Sequence, residues 1–193
     1  MNKLICLVGM CGAGKSEIAD YLMSKRNFEF LRFGQITLDR IKEMGKEPSE
    51  ALEREIRERL RKEHGMAAFA ILNKEKIDKL LEKGDVLGDG LYSWEEYLYL
   101  KENFQDRLQV IAVYAPPSIR YKRLSDRQKD HIADKENRYR NFTHEEAVSR
   151  DQAEIENLHK AGPIAMADIT LNNTGPKEEL YGQIDQLLEN FEL

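Results

Sequence analysis

Gly9-Met10-Cys11-Gly12-Ala13-Gly14-Lys15-Ser16 is the stretch that leaves this chain the fewest architectures to choose from. It follows the apolar run Leu4-Ile5-Cys6-Leu7-Val8 and precedes a segment in which Ile18, Ala19, Leu22 and Met23 recur at helical spacing. A short continuous apolar run reads as a strand buried on both faces, so the order is strand, glycine-rich loop, helix. The loop matches G-x-x-x-x-G-K-[ST] throughout. Glycines let successive amides close around an anion, and the following helix adds its positive end. Lys15 is then placed to bridge β- and γ-phosphate oxygens, and the Ser16 hydroxyl to join a Mg²⁺ shell. The expected nucleotide-binding residues are Gly9, Cys11, Gly12, Ala13, Gly14, Lys15, Ser16 and Glu17, and the expected cofactors are ATP and Mg²⁺. The spacing does not make G-x-G-x-x-G, and a dinucleotide loop would leave Lys15 and Ser16 unexplained.

A chain of 193 residues with 41% apolar content buries a full core without disulfides or structural metal. Its 30 basic and 35 acidic residues give a formal charge of -5, which argues against a general nucleic-acid binder and makes any anion site local. The only cysteines, Cys6 and Cys11, make neither a disulfide framework nor a zinc site, which points to a reducing compartment. No apolar run approaches ~18 residues, so neither a membrane span nor a signal-peptide core is expected, and the chain reads as cytoplasmic. His64, His131, His144 and His159 are scattered without metal-ligand spacing.

Further strands are expected at 28–33, 86–89, 108–115 and 169–171, giving five with the first. Between them lie helical patterns. Ser49 can cap a charged helix to His64, and a second, joined or kinked, runs to Gly84; Ser93 with Glu96, and Thr143 with Glu146, fit capping boxes. Pro176 suits the first turn of a terminal helix. Strands alternating with helices predict a three-layer α/β fold with a five-stranded parallel sheet.

Two further features carry chemistry. Asp89 ends an apolar strand, where doubly wound sheets collect their ligand-binding groups, and can hold Mg²⁺ or orient an attacking hydroxyl; an Asp-Gly turn is the bland alternative. Arg120, Arg123, Arg127, Arg138, Arg140 and Arg150 concentrate guanidinium groups in an acidic chain, as a phosphate clamp would. Arg123 and Arg127 share a helical face. Arg120 is expected to be one of a self-solvating charged face, whereas Arg138 and Arg140 fall in a segment with little to pack.

With these residues in view, the chain resembles the nucleoside monophosphate kinase group of P-loop proteins. More narrowly, it resembles little-characterised small kinases, common in archaea, related to adenylate kinase and dephospho-coenzyme A kinase. The resemblance rests on Gly9–Ser16, Gly34, Val86–Gly90, Arg120-x-x-Arg123-Leu124-x-x-Arg127, Arg150-Asp151 and 168–175, and spans nearly the whole chain. It implies a single domain over 1–193 that transfers the ATP γ-phosphoryl group, with an acceptor-binding helical insert at 34–84 and a lid at 125–142. It also implies that Asn173 and Gly175 lie beside the nucleotide base. The implied catalytic set is Lys15, Asp89, Arg123, Arg127, Arg138 and Arg140, with Ser16 and Asp89 as metal residues. The expected partner is a small phosphorylated acceptor, a nucleoside or deoxynucleoside monophosphate first, with neither nucleic acid nor membrane, and the chain a monomer or homodimer. Two departures bear on the acceptor: Gln35 stands where relatives often carry Asp, and Tyr92 stands near a usual arginine, with Arg32 and Gln35 as substitutes. Dephospho-coenzyme A phosphorylation and a non-kinase regulatory NTP-binding module are the alternatives. A GTPase lacks its N-K-x-D sequence here.

Overall fold

The computed structural model describes residues 1–130 and 142–190. Five strands, β1 (Leu4–Val8), β2 (Glu29–Arg32), β3 (Val86–Asp89), β4 (Leu108–Tyr114) and β5 (Ile169–Asn172), form one sheet in the order β2-β3-β1-β4-β5. Every neighbouring pair is parallel. Parallel neighbours need crossovers, and the crossovers here are helices. They are α1 (Lys15–Lys25), α2 (Gln35–Glu43), α3 (Glu50–His64), α4 (Ala68–Leu81), α5 (Trp94–Phe104), α6 (Pro117–Asp130), α7 (His144–Glu156), α8 (Ala161–Ala165) and α9 (Lys177–Asn190). Alternate residues of β1 feed two separate cores, which is what three layers require. Leu4, Cys6 and Val8 pack with Ile41, Ile56, Phe69 and Leu100 from α2 to α5, whereas Ile5 and Leu7 pack with Ile18, Leu22 and Ile184 from α1 and α9.

Local chemistry sets the element ends. Ser49 Oγ accepts from the Leu52 amide to start α3, and Gly65, at φ 79°, stops it, so the expected long helical region resolves into α3 and α4. Thr143 and Glu146 make the full capping box at α7. At α5, Ser93 Oγ accepts from the Glu96 amide, but the Glu96 carboxylate reaches back to the Tyr92 amide (2.8 Å). β2 is shorter than its apolar pattern suggests. Phe28 and Phe33 flank it and are both buried, one in each core, so they prolong the hydrophobic run past the strand, and the Phe33 amide still donates to the Asp89 carbonyl (3.0 Å). The five-residue α8 has no counterpart in the sequence reading. The whole of α2, α3 and α4 lies between β2 and β3, a helical insert on one face of the sheet. Among the described residues, no helix is long and apolar enough to cross a membrane.

Candidate functional site

The chain builds outward from β1 to β2 and β3 on one side and to β4 and β5 on the other, and this reversal opens a crevice at the carboxyl ends of the strands. The loop after β1 lies there, held by its neighbours. Gly9 leaves the strand at φ 152°, and a Cβ on it would stand 2.6 Å from the Val113 carbonyl oxygen. Gly14 takes φ 105°, and a Cβ there would collide with the Asn173 amide nitrogen. That nitrogen donates to the Ala13 carbonyl (2.8 Å), and Arg123 Nη2 donates to Asn173 Oδ1 (3.2 Å). Lys15 Nζ donates to the carbonyls of Gly9 (2.8 Å) and Met10 (3.3 Å), folded over the loop it follows. Burial, and then the charge of Lys160, pull its pKa down to about 8.

Arg120 corrects the sequence reading. It does not belong to a solvated face: its side chain is buried, with Nη1 and Nη2 donating to both oxygens of Asp151 (2.8 and 2.5 Å), Nη1 to the Cys11 carbonyl (3.1 Å) and Nε to the Ala115 carbonyl (2.9 Å). The cause is α7, which packs on α6 and delivers Asp151 from 31 residues away. Arg120 thus ties the phosphate loop to two helices.

Asp89 ends β3 level with Leu7 of β1 and with Arg32 of β2. Together with Cys11 and Ser16 it lines a cavity of about 1130 Å³ that reaches from the phosphate loop to α2 and α3. Arg32, Arg57, Tyr92 and Arg150 line the same cavity, as does Glu53, whose carboxyl burial pushes above its ordinary value against the pull of Arg57, Arg32 and Arg150. Tyr92 is wedged over glycine: its hydroxyl stands 2.6 Å from where a Gly90 Cβ would be and 3.3 Å from that of Gly34. Burial and the adjacent Asp89 push its phenol pKa up. Ser16 and Asp89 bring a hydroxyl and a carboxylate to one cavity, the hard oxygen donors that Mg²⁺ takes alongside phosphates and water. Among the described residues, no cluster of three or more His, Cys, Asp or Glu side chains could hold a metal by itself.

The structure therefore brings together the loop Gly9–Ser16, Asp89, Arg123 and Asn173. The Glu17 carboxylate turns to α9 and accepts from Lys177 Nζ (2.9 Å) and the Tyr181 hydroxyl. Gly175 packs against the Glu179 side chain. The Arg127 side chain, Arg138 and Arg140 lie outside the described residues, and so does most of the expected lid. Arg57 and Lys160 were not candidates from sequence. Arg57 sits in a helix of alternating charges, with Nη1 3.3 Å from Glu53 four residues back, a pattern shared with any solvated helix.

Residues 5–144 match the family model described as AAA domain. A UPF0200 protein of Thermococcus gammatolerans is 32% identical over 190 residues, covering 97% of this chain and 95% of that protein. The chain belongs to the UPF0200 family of AAA-domain proteins. Another member, from Sulfurisphaera tokodaii, is 30% identical over 190 residues, with 98% of this chain and 97% of that one covered. Among solved structures, TT1252 from Thermus thermophilus has a TM-score of 0.65 at 19% identity, covering 100% of this chain and 99% of that one. Shikimate kinase from Bacteroides thetaiotaomicron has a TM-score of 0.60 at 17% identity, with 99% of each chain covered. This family member thus has the fold of small P-loop kinases.

Proposed function

We propose that the chain is an ATP-dependent phosphotransferase whose acceptor is a small phosphorylated molecule, a nucleoside or deoxynucleoside monophosphate first. The observation that carries this reading is the cavity beside the phosphate loop, where Arg32, Arg57 and Arg150 gather around one buried carboxylate, Glu53. Across the whole lining Arg32, Arg57 and Arg150 with Lys42, Lys46 and Lys76 outnumber Asp20, Asp39, Glu47, Glu53 and Asp89 by one, and planar guanidinium forks match the oxygens of a phosphate.

In this reading each residue has a role. The loop amides and Lys15 hold the β- and γ-phosphates, and Arg123, braced by Asn173, adds a cation on the nucleotide side. Mg²⁺, when bound through Ser16 and Asp89, offsets charge on those phosphates. Arg32, Arg57 and Arg150 hold the acceptor phosphate, one oxygen of which attacks the γ-phosphorus as the bond to ADP breaks. Asp89 orients the attacking group, and with a hydroxyl acceptor such as dephospho-coenzyme A it takes the proton. The resemblance to small P-loop kinases adds a lid with Arg127, Arg138 and Arg140, whose side chains lie outside the described residues, as further cations on closure.

A coupled assay of ADP formation with each nucleoside monophosphate, dephospho-coenzyme A, shikimate and gluconate tests this. ADP release driven by at least one monophosphate, with the acceptor KM raised in Arg32→Met and the ATP KM unchanged, is the expected result. ADP release that no phosphorylated acceptor stimulates, or that shikimate or gluconate drives, overturns it.

A further inference from the structure

Two buried charges have no part in the roles above. Lys160 is 2% exposed and Glu154 6%. Ions at that depth are costly unless paired and hydrogen-bonded. Lys160 Nζ donates to Glu154 Oε2 (2.8 Å), and Arg150 Nε donates to the other oxygen, Oε1 (3.2 Å). Burial opposes the charge on Glu154, yet Lys160 and Arg150 hold its pKa down at about 2. One carboxylate is thus shared by two cations.

Both ends of this chain of charges abut the cavity. Arg150 lines it, and the Lys160 ammonium lies 5.3 Å from the centre of the Tyr92 ring, which lines it too. The turn that carries Lys160 is built for the purpose. His159 takes φ 50°, the Lys160 amide donates to the Glu154 carbonyl (3.1 Å), and the Leu158 carbonyl accepts from the Trp94 amide (3.3 Å). Gly162 then packs on the Trp94 indole, where a Cβ would come within 2.6 Å. A surface ion pair needs none of this.

We infer that Glu154 and Lys160 are positioning residues for the acceptor anion: the shared carboxylate aims the Arg150 guanidinium into the cavity, and Lys160 backs the Tyr92 ring. The inference rests on the reading of that cavity as the acceptor site. A long side chain ordered before its ligand arrives loses less freedom on binding, so the acceptor phosphate meets a preset cation.

The test uses the full chain with Glu154→Gln, which keeps shape and removes charge, and Glu154→Asp, which keeps charge and withdraws it from Arg150. Lys160→Met and Lys160→Arg complete the set. In ligand-free protein, the Arg150 Nε–H resonance, assigned by its loss in Arg150→Lys, should exchange slowly in the wild type and fast in both Glu154 variants. By calorimetry, affinity for AMP and for inorganic phosphate should fall about tenfold or more, the worth of one charge-assisted bond, while affinity for Mg²⁺–AMP-PNP, which Lys160 and Glu154 reach only through the charge of Lys15, falls clearly less. Lys160→Arg should restore what Lys160→Met loses. Equal exchange of Arg150 Nε–H in wild type and both Glu154 variants, unaltered AMP and phosphate affinity, or equal weakening of AMP and AMP-PNP overturns the inference. If the wild type binds no nucleoside monophosphate, the proposed acceptor class fails, while the exchange and inorganic-phosphate measurements still decide this one.

Discussion

Asp151→Asn should cost this protein much of its stability. Arg120 is 4% exposed and Asp151 6%, and they share two hydrogen bonds of 2.8 and 2.5 Å, with the Tyr121 hydroxyl donating a third to the carboxylate (3.0 Å). An exposed pair of the same geometry would be worth about 0–1 kcal/mol. Removing one partner of a buried pair instead leaves an uncompensated charge and costs about 3–5 kcal/mol, against a total stability of about 5–15 kcal/mol. Asparagine keeps one acceptor but turns an NH₂ toward the guanidinium, so it falls in that range. At about 2–4 °C per kcal/mol for a chain of this length, the melting midpoint should drop by roughly 6–20 °C. Urea unfolding followed by circular dichroism measures the loss directly. Arg120→Met with Asp151→Leu, which removes both charges, should recover most of it. Arg120 also donates to the Cys11 carbonyl, so the double variant should remain weak in binding Mg²⁺–AMP-PNP after its stability returns. A loss under about 1 kcal/mol in Asp151→Asn, or a double variant no more stable than the single one, would refute the reasoning.

Lys15→Ala should fold as the wild type does, by circular dichroism, and lose nearly all ADP formation, because the core does not need its ammonium and the phosphates do; half of the wild-type turnover would contradict this. Gly14→Ala should destabilise by about 1–3 kcal/mol in urea and weaken AMP-PNP, since it places a Cβ at φ 105° and against the Asn173 amide. Glu96 gives a pH dependence. Burial pushes its carboxyl from 4.5 up to about 7, against the Tyr92 amide bond and the charge of Arg61. A folded pKa above the unfolded one means the folded state holds the extra proton, so this group lowers stability as pH rises from about 4.5 through about 7. Glu96→Gln should flatten the urea-midpoint profile across that window, and an unchanged slope would show that Glu96 does not titrate there.

The phosphate loop was legible because its chemistry is local: eight consecutive residues, the strand before and the helix after carry the whole signal. Asp89 was legible for the same reason, as a carboxylate at the end of an apolar run. The capping box at Thr143 and Glu146 spans one helical turn and was equally plain. Arg120 was misread because its partner lies 31 residues on, and only the packing of α6 on α7 brings the two together. Arg57 was hidden by company: along α3 the pairs Arg54–Glu58 and Arg59–Glu63 follow the same i,i+4 rule on exposed positions, and periodicity alone does not tell which pair faces a cavity. Lys160 had no local signal, since its burial depends on the turn between α7 and α8 closing on Trp94.

The phosphate loop is steadied by Arg120 and by Asn173. The motif leaves the ribosome before the groups that fix its shape, Arg120 coming 109 residues after the Cys11 it holds and Asn173 160 residues after Ala13. A nascent chain that has not yet paired β5 beside β4 carries the full nucleotide motif without the brace that shapes it, and contacts of such long sequence separation form late. Tight nucleotide binding therefore reports a finished fold, and a chain ending before Asn173 should hold AMP-PNP weakly even though every residue of the loop is present.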